Sequence, residues 1–314
     1  MKNYTPHIMK HVLASIFTFC FFIAVLAQNN HPLEGRWDLE LQLDGKTYPS
    51  WLEVTKSGVS TFVGRYVSIS GSARPISEIK IDGNSFTFKI PPQWWVDQGA
   101  LIVNGNIDNK KLTGEVKFEK GSTYSFIGNP APTFAYKDKV EFEVGKMLFN
   151  GHDLTGWTLD GEKPWLVENG ILKGPGGASN LISEEKFNDF RLSVEFRIPE
   201  GSNSGIYLRG RYEVQIQDDY GKQPSNILFG GIYGFLTPNQ MAAKKAGEWQ
   251  TYEITLIGNR VTVVANGKAI ITDHTIPGIT GGAIDSAEGM PGPIMLQGDH
   301  GPVEFRRVLI MPIK

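Results

Sequence analysis

Short segments in which apolar and polar residues alternate, separated by Gly-rich turns, recur along almost the whole chain beyond residue 33. Examples are residues 37–43, 86–90 and 112–118. A period of two is typical of antiparallel strands that bury one face. Because residues 132–314 never keep the 3.6-residue apolar period of a helix over three turns, we expect an all-β chain. The 36 glycines and 18 prolines supply the many turns that such a chain needs.

A Pro-rich stretch divides the chain. It reads Asn129-Pro130-Ala131-Pro132-Thr133 and predicts a linker over residues 129–142. Before it, residues 33–128 contain about eight strand patterns, which suit a small antiparallel β-barrel-like domain. After it, residues 143–314 are the right size for two packed sheets, as in a jelly-roll β-sandwich.

The N-terminal segment pairs two lysines with the apolar run 12–27, which predicts a secretory signal peptide over residues 1–27, cleaved after Ala27. An uncleaved membrane anchor is the alternative, but the run is shorter than the ~20 residues of a typical span. We therefore expect a periplasmic or secreted protein without stable membrane insertion after cleavage. The single cysteine, Cys20, would leave with the peptide, so the mature chain would have no thiol for catalysis, disulfides or metal binding.

The charge balance limits the partners. Lysine and arginine number 31 against 33 acidic residues, with no basic block, so nucleic acid is not expected as a partner. A small neutral molecule such as a carbohydrate is expected instead. Three tryptophans of the first domain either stack on sugar rings or fill a small barrel, and the sequence leaves both interpretations open. They are Trp51, Trp94 and Trp95.

Several strands of the second domain carry polar residues opposite their core-facing side. By strand parity these are Glu195, Arg197, Tyr207, Arg209, Glu213, Gln215, Gln297, Glu304 and Arg306. Any half-solvated sheet has polar outer residues, but this set holds arginines, carboxylates and amides, and no lysine. Such groups recognise hydroxyls and oxyanions well. The pattern predicts a sugar-binding cleft in which five residues converge, namely Arg209, Glu213, Gln215, Gln297 and His300.

Two turns next to these strands add candidate chemistry. His300 lies in the turn Gly298-Asp299-His300-Gly301, where it is a candidate base or metal ligand, or simply a solvent-exposed histidine. Asp218 follows the strand of Glu213 and either faces the substrate as a second carboxyl group or ends the strand in an Asx turn. Asn203 lies in a turn ahead of Tyr207.

A set of motifs in the second domain carries a family resemblance. They include Leu148-Phe149-Asn150-Gly151, Leu154-Thr155-Gly156-Trp157, Asn203-Ser204-Gly205-Ile206-Tyr207, Tyr212-Glu213-Val214-Gln215, and His300-Gly301 with Val303-Glu304-Phe305-Arg306. With these motifs in this order, residues 145–313 resemble the exported 3-keto-disaccharide hydrolase family, which has a concanavalin-like jelly roll. The barrel-like region lies outside the resemblance. The loop 221–231 departs from the family pattern and leaves the rim of the substrate site undefined.

The resemblance implies action on 3-keto-glycosides or 3-keto-disaccharides. A C3 ketone acidifies the C2 hydrogen, so a base can remove it, the C1 substituent is eliminated and water adds to the enone. For this chemistry we expect Glu213 or His300 to act as the base. We also expect Arg209, alone or with a divalent metal ion, to stabilise the enolate, and Asp218 to act as an acid to the leaving group or as a metal ligand. The expected substrate contacts are Glu195, Arg197, Asn203, Tyr207, Gln215, Gln297 and Arg306.

Other functions stay open at this level. A non-catalytic carbohydrate-binding module or lectin-like protein would use the same cleft, although the wealth of Glu, Asp, Arg and His favours an enzyme. An adhesion or structural role is a third reading. A conventional glucanase of this architecture uses acidic residues at the first, third and sixth positions of one strand. Here these positions hold Glu213, Gln215 and Asp218, and the neutral glutamine disfavours that mechanism.

Overall fold

The computed structural model describes residues 31–94, 96–135, 137 and 139–314. The predicted signal peptide and Trp95 therefore lie outside the described residues. Within these residues, no helix has the length and apolar character needed to cross a membrane.

Eight antiparallel strands form a closed barrel at the N-terminal end of the described chain. They are β1 (Gly35–Leu43), β2 (Lys46–Ser57), β3 (Thr61–Val67), β4 (Arg74–Asp82), β5 (Ser85–Ile90), β6 (Leu101–Asp108), β7 (Lys111–Phe118) and β8 (Thr123–Pro130). Closure comes from β1, in which Leu39 lies opposite Ser50 of β2 on one side and Gly128 of β8 on the other. A short 3₁₀ turn, Val96–Gln98, joins β5 to β6.

Two further sheets form a sandwich. The strands of the first sheet are, in spatial order, β10 (Trp157–Leu159), β13 (Leu181–Phe187), β20 (Gly292–Leu296), β15 (Asn203–Leu208) and β16 (Tyr212–Gln217). The strands of the second are β11 (Leu166–Glu168), β12 (Ile171–Gly174), β21 (Val303–Pro312), β14 (Phe190–Arg197), β17 (Gln250–Ile257), β18 (Arg260–Ala265) and β19 (Lys268–Thr275), with β9 (Lys146–Met147) paired to β21. The predicted all-β fold, a barrel followed by a jelly-roll sandwich, is confirmed.

The sandwich core lies between the two sheets and follows the predicted alternation. Val214 and Ile216 of β16 are fully buried, as are Leu192 and Val194 of β14. Aromatic rings fill the centre, where the ring centroids of Phe196 and Tyr252 are 4.8 Å apart. One face of β16 is thereby committed to the core, and its alternate residues must point the other way.

The barrel packs directly against the sandwich. Trp51 of β2 is fully buried in the sandwich core, in edge contact with Phe235 at 5.3 Å between ring centroids. A Cβ at Gly278 would lie 2.2 Å from the indole, so only glycine fits beneath it. Trp51 therefore neither fills the barrel nor faces a sugar. The division into domains of residues 33–128 and 143–314, with a linker over 129–142, stays a prediction.

Polar contacts also cross this junction. Arg36 of β1 donates to the carbonyl oxygens of Pro277 (2.8 Å) and Pro132 (2.9 Å), so it links the barrel to both the sandwich and the segment between them. The carboxyl groups of Asp38 and Glu288 form a buried pair, and burial raises both pKa values, that of Asp38 to about 8. Tyr212 donates to the carboxyl group of Glu288 at 2.8 Å. The junction is thus a packed, titratable interface.

Candidate active site

Strand β16 carries the central carboxyl group of the site. Since Val214 and Ile216 point into the core, Glu213 and Gln215 point to the opposite face. Residues 221–236, the covering loop, pair with the outer edge of this strand: the Tyr233 N–H donates to the carbonyl oxygen of Glu213 at 3.0 Å. This cover leaves Glu213 only 4% exposed.

A cleft of about 560 Å³ opens over this face, a size typical of small-molecule sites. Six of the predicted site residues line it: Asn203, Tyr207, Glu213, Gln215, Gln297 and His300. The rest of its sandwich wall comprises Gln217, Ile227, Leu228, Tyr233, Gly281, Gly282 and Asp299. The barrel contributes Ser70, Gly71 and Trp94. The cleft therefore combines polar groups with apolar side chains, as carbohydrate recognition requires.

Glu213 is held by a short hydrogen-bond chain. Its Oε2 lies 3.0 Å from the Tyr207 hydroxyl, which is also 2.9 Å from the carbonyl oxygen of Gly281. The hydroxyl has one proton and the carbonyl can only accept. When Glu213 is protonated, it can donate to Tyr207 while Tyr207 donates to Gly281; when Glu213 is ionised, Tyr207 can turn its proton to the carboxylate. Both protonation states of Glu213 are therefore accommodated.

The electrostatic surroundings favour a protonated Glu213 near neutral pH. Burial raises its pKa to about 8, and the charge of Asp299 adds to the rise, while Tyr207 and His300 oppose it. The Tyr233 hydroxyl, in the same cleft, has its pKa raised to about 12 by burial and by the Glu213 charge. A carboxyl group with such a raised pKa is a stronger base, once ionised, than an ordinary glutamate.

His300 and Asp299 form a pair at the mouth of the cleft. The Nδ1 atom of His300 is 2.6 Å from Oδ1 of Asp299, and both side chains are about half exposed. The hydrogen bond to Asp299 raises the pKa of His300, which favours the imidazolium form. Among the described residues that line the cleft there is no arginine or lysine, so His300 is its source of positive charge.

Two amide oxygens in the cleft lack a protein partner. The Oε1 atoms of Gln215 and Gln297 are buried and accept no hydrogen bond. The amide nitrogen of Gln215 is engaged, donating to the carbonyl oxygen of Ile227 at 3.3 Å. Buried polar atoms in proteins are almost always paired, so such orphans point to a ligand that donates hydrogen bonds. Sugar hydroxyls are donors of this kind.

Comparison with known families identifies the family of the second domain. A family model described as the 3-keto-alpha-glucoside-1,2-lyase-like domain matches residues 145–311. The chain belongs to this family. The resemblance expected from the sequence motifs is thereby confirmed. The matched residues, here called the family domain, comprise the sandwich and leave out the barrel.

Individual relatives differ in how much they share. A 3-keto-disaccharide hydrolase of Bacteroides thetaiotaomicron is 24% identical, the match covering 40% of this chain and 57% of the relative's length. A solved structure from Parabacteroides distasonis, whose name provisionally assigns it to the glycosyl hydrolases, is 28% identical with a TM-score of 0.47, covering 57% of this chain and 93% of that one. A non-specific endo-beta-1,3(4)-glucanase of family GH16 is 12% identical with a TM-score of 0.37, covering 58% and 95%.

The structure does not place Arg209 in the cleft. Arg209 follows β15 in a left-handed turn (φ 52°), where the parity of the strand no longer applies. Its guanidinium is fully buried elsewhere in the family domain, donating to the carbonyl oxygen of Gly258 at 2.7 Å and to the Tyr212 hydroxyl at 3.1 Å. The prediction that Arg209 stabilises the enolate in the cleft is therefore wrong.

Asp218 also lies outside the cleft lining. Its Oδ2 accepts the backbone N–H of Gly201 at 3.0 Å, and its own N–H donates to the carbonyl oxygen of Ser202. The carboxyl group thus ties the end of β16 to the turn before β15. This structural role replaces the predicted role of acid or metal ligand.

Three predicted substrate contacts lie on the outer face of the other sheet of the family domain. Arg306 donates two hydrogen bonds of 3.0 Å to the carboxylate of Glu195, and Arg197 pairs with Glu304. Both guanidinium groups stack on Trp249, at 4.4 Å for Arg306 and 4.8 Å for Arg197. Strand parity shows which residues leave the core but not which sheet a strand joins. The prediction that Glu195, Arg197 and Arg306 contact the substrate is therefore wrong.

A metal ion has no evident place in the site. Across the described parts of the chain, no three His, Cys, Asp or Glu side chains are grouped so that they could hold one. In the cleft the acidic and imidazole groups are Glu213, Asp299 and His300, and the last two engage each other. The residues of the cleft do not fit the metal ion that the sequence left open.

Sequence reasoning missed several residues of the cleft. Two of them had a signal in the sequence: Asp299 is the neighbour of His300, and Trp94 is one of the three tryptophans that could stack on a sugar. Tyr233 and Leu228 lie in the covering loop, which has no strand pattern that would reveal its fold. Gly71 reaches the cleft only because the barrel packs on the sandwich, and no local signal in the sequence shows that contact.

Proposed function

We propose that the chain is an exported enzyme that cleaves 3-keto-glycosides, with Glu213 as the base. The observation that carries the proposal is a buried carboxyl group of raised pKa next to two amide acceptors that lack partners. Membership of the family and the name of the Bacteroides relative support the substrate class. Export rests on the apolar N-terminal run.

The chemistry suits a single strong base. A ketone at C3 acidifies the C2 hydrogen, because the electron pair left behind is delocalised onto the carbonyl oxygen. Glu213, with its pKa raised to about 8, is matched to such a proton transfer near neutral pH. A conventional glycosidase would need two carboxyl groups flanking the bond. Gln215 occupies the next position on this face, and the other carboxyl group of the cleft, Asp299, is paired with His300.

The proposed reaction proceeds in two stages. Glu213 takes the proton from C2, and the electron pair forms an enolate at the C3 oxygen. The enolate then reforms the ketone, a C1–C2 double bond forms, and the C1–O bond breaks, the departing oxygen taking a proton from water. The hydroxide left by that water adds to C1 and Glu213 returns its proton to C2, which gives the free 3-keto sugar and restores the ionised base.

His300 takes the place that the sequence assigned to Arg209. The imidazolium, favoured by Asp299, supplies positive charge for the developing enolate, the kind of electrostatic stabilisation that is usually the largest catalytic contribution. The orphan amide oxygens of Gln215 and Gln297 accept sugar hydroxyls and orient the ring. Each role is assigned to a residue that lines the cleft.

Substrate selectivity tests this proposal. The mature protein is incubated with a 3-keto-glucoside and with its unoxidised parent, and release of the leaving group is measured. We expect cleavage of the keto compound alone. Equal cleavage of both compounds would indicate a conventional glycosidase, and binding without turnover would indicate a carbohydrate-binding module; either result would overturn the proposal.

A further inference from the structure

The barrel builds one wall of the cleft. Ser70, Gly71 and Trp94 line the same space as Glu213, although all three lie outside the family domain of residues 145–311. The family domain alone would leave this side of the cleft open. Any substrate contact that the barrel makes must therefore come from Ser70, Gly71 or Trp94.

Trp94 is the large apolar side chain of that wall. It is 56% exposed, whereas Trp37, Trp51, Trp157 and Trp165 are each at most 6% exposed. An exposed indole inside a concave cleft offers a large apolar contact surface to a ligand. Its flat face suits the apolar face of a sugar or aromatic ring.

The backbone next to Trp94 is held by the side chain of Gln93. The side chain of Gln93 accepts the N–H of Ser72 at 3.2 Å and donates to the Ser72 hydroxyl at 2.9 Å. The loop before β4 and the loop after β5 are thereby clamped together. The loop that carries Trp94 is thus held in place by the loop before β4.

The loop before β4 also contacts the segment of the sandwich that carries Gly281. A Cβ at Gly281 would lie 2.1 Å from the carbonyl oxygen of Gly71, so the two backbones are in direct contact. The carbonyl oxygen of Gly281 accepts the hydrogen bond of Tyr207, whose hydroxyl contacts Glu213. A short chain of contacts therefore sets the barrel wall relative to the base.

We propose that Trp94 forms a stacking subsite for the leaving group, so that the barrel selects substrates in which that group contains a ring. The inference rests on the proposed function. In this proposal C2 of the keto ring lies at Glu213. A keto ring at the non-reducing end of a glycoside is bonded to the remainder of the substrate only through C1. Any second ring in the substrate therefore belongs to the leaving group. Sugar and aryl leaving groups share the required flat face, and the test separates them.

The test compares three substrates: a 3-keto-disaccharide, an aryl 3-keto-glucoside and methyl 3-keto-glucoside. The variants are Trp94→Ala, Trp94→Phe, which keeps a ring, and the control Val96→Ala, an exposed residue of the same loop that does not line the cleft. We expect Trp94→Ala to raise KM about 10-fold for the ring-bearing substrates, with the methyl glucoside unchanged. Trp94→Phe should retain most of the affinity, and Val96→Ala all of it.

The outcomes separate the two proposals. A larger effect on the disaccharide than on the aryl glucoside identifies a sugar subsite, and the reverse an aryl subsite. Equal effects of Trp94→Ala on all three substrates, or no effect on any, would overturn the subsite.

If no keto compound is cleaved, the proposed function fails, and binding decides the subsite. Calorimetry in a Glu213→Gln background would then compare the disaccharide and the methyl glucoside with and without Trp94→Ala. A loss of affinity confined to the disaccharide would support the subsite, and any other pattern would reject it.

Discussion

The carboxyl group of Glu213 rests against the backbone of Gly205 on the neighbouring strand. A Cβ at position 205 would lie 2.4 Å from Oε1 and 2.9 Å from Cγ of Glu213, closer than real Cβ contacts allow. Gly205 and Tyr207 lie on the same face of β15, so one strand supplies both the gap for the carboxyl group and its hydroxyl partner. The position of Glu213 thus depends on a residue without a side chain.

Substituting Gly205 therefore tests whether the placement of Glu213 matters. Gly205→Ala should push the carboxyl group aside and lower kcat/KM on a 3-keto-glucoside by about 100-fold, because small displacements of a reacting group are costly. Gly289→Ala is the control: Gly289 is exposed, and its nearest neighbour, Pro132, would be 3.3 Å from the new Cβ. Wild-type activity in Gly205→Ala, with the fold intact by circular dichroism, would contradict the assigned position.

The pH dependence of kcat/KM should be bell-shaped. Protonation of Glu213 removes the base on the acid side, and deprotonation of His300 removes the positive charge on the alkaline side. Glu213→Gln should abolish the acid limb with a loss of about 100-fold or more. His300→Gln should abolish the alkaline limb and move the acid limb to higher pH, because the charge of His300 lowers the pKa of Glu213.

The matching control for the pH profile is Asp218→Asn, a carboxyl group next to β16 that lies outside the cleft lining. It should leave both limbs in place. An unchanged profile in Glu213→Gln, together with loss of activity in His300→Ala, would transfer the role of base to His300.

Removing the Tyr207 hydroxyl should make Glu213 harder to ionise. The hydrogen bond from Tyr207 lowers the pKa of Glu213, so in Tyr207→Phe the acid limb should move to higher pH. Activity at neutral pH should fall by about 10-fold, in keeping with the loss of a hydrogen bond to a charged group. Tyr220→Phe, an exposed tyrosine outside the cleft lining, should change neither quantity. If Tyr207→Phe lowers the activity but leaves the acid limb of the pH profile at the same pH, Tyr207 acts only through packing.

The carboxyl pair of Asp38 and Glu288 should make stability depend on pH. Burial raises both pKa values, so between about pH 4 and pH 8 the folded chain binds more protons than the unfolded chain. The free energy of unfolding should therefore fall as pH rises through this window. In Glu288→Gln the second charge is gone and the fall should be smaller.

Urea denaturation at pH 5 and pH 8.5 measures this effect. The control is Glu141→Gln, at a side chain that is 81% exposed, which should keep the pH dependence of the wild type. If Glu288→Gln shows the same fall as the wild type, the pair does not titrate as described.

Strand parity is a local property, and it explains what the sequence could predict. The alternation around Val214 correctly predicts that Glu213 and Gln215 leave the core, and the motif order correctly predicts the family. Arg209 departs from the prediction because a left-handed turn ends the alternation just before it. Glu195 departs because its strand joins the other sheet, whose outer face points away from the cleft.

The missing parts of the site depend on contacts between distant segments. Trp94 and Glu213 line the same cleft only because the barrel packs on the sandwich, through Trp51 in the core and Gly71 at the rim. Glu213 is buried, and its pKa raised, partly because the covering loop pairs with the edge of β16. Neither contact has a periodic signature in the sequence.

The most direct test of the account is whether Glu213 removes the C2 proton of a 3-keto-glucoside. The measurement compares turnover of the C2-protium and C2-deuterium substrates by the wild type and by Glu213→Gln. We predict slower turnover of the deuterated substrate by the wild type, and a loss of about 100-fold or more in the variant with ligand binding largely kept. Equal rates for both isotopic substrates, together with full activity of Glu213→Gln, would contradict the account.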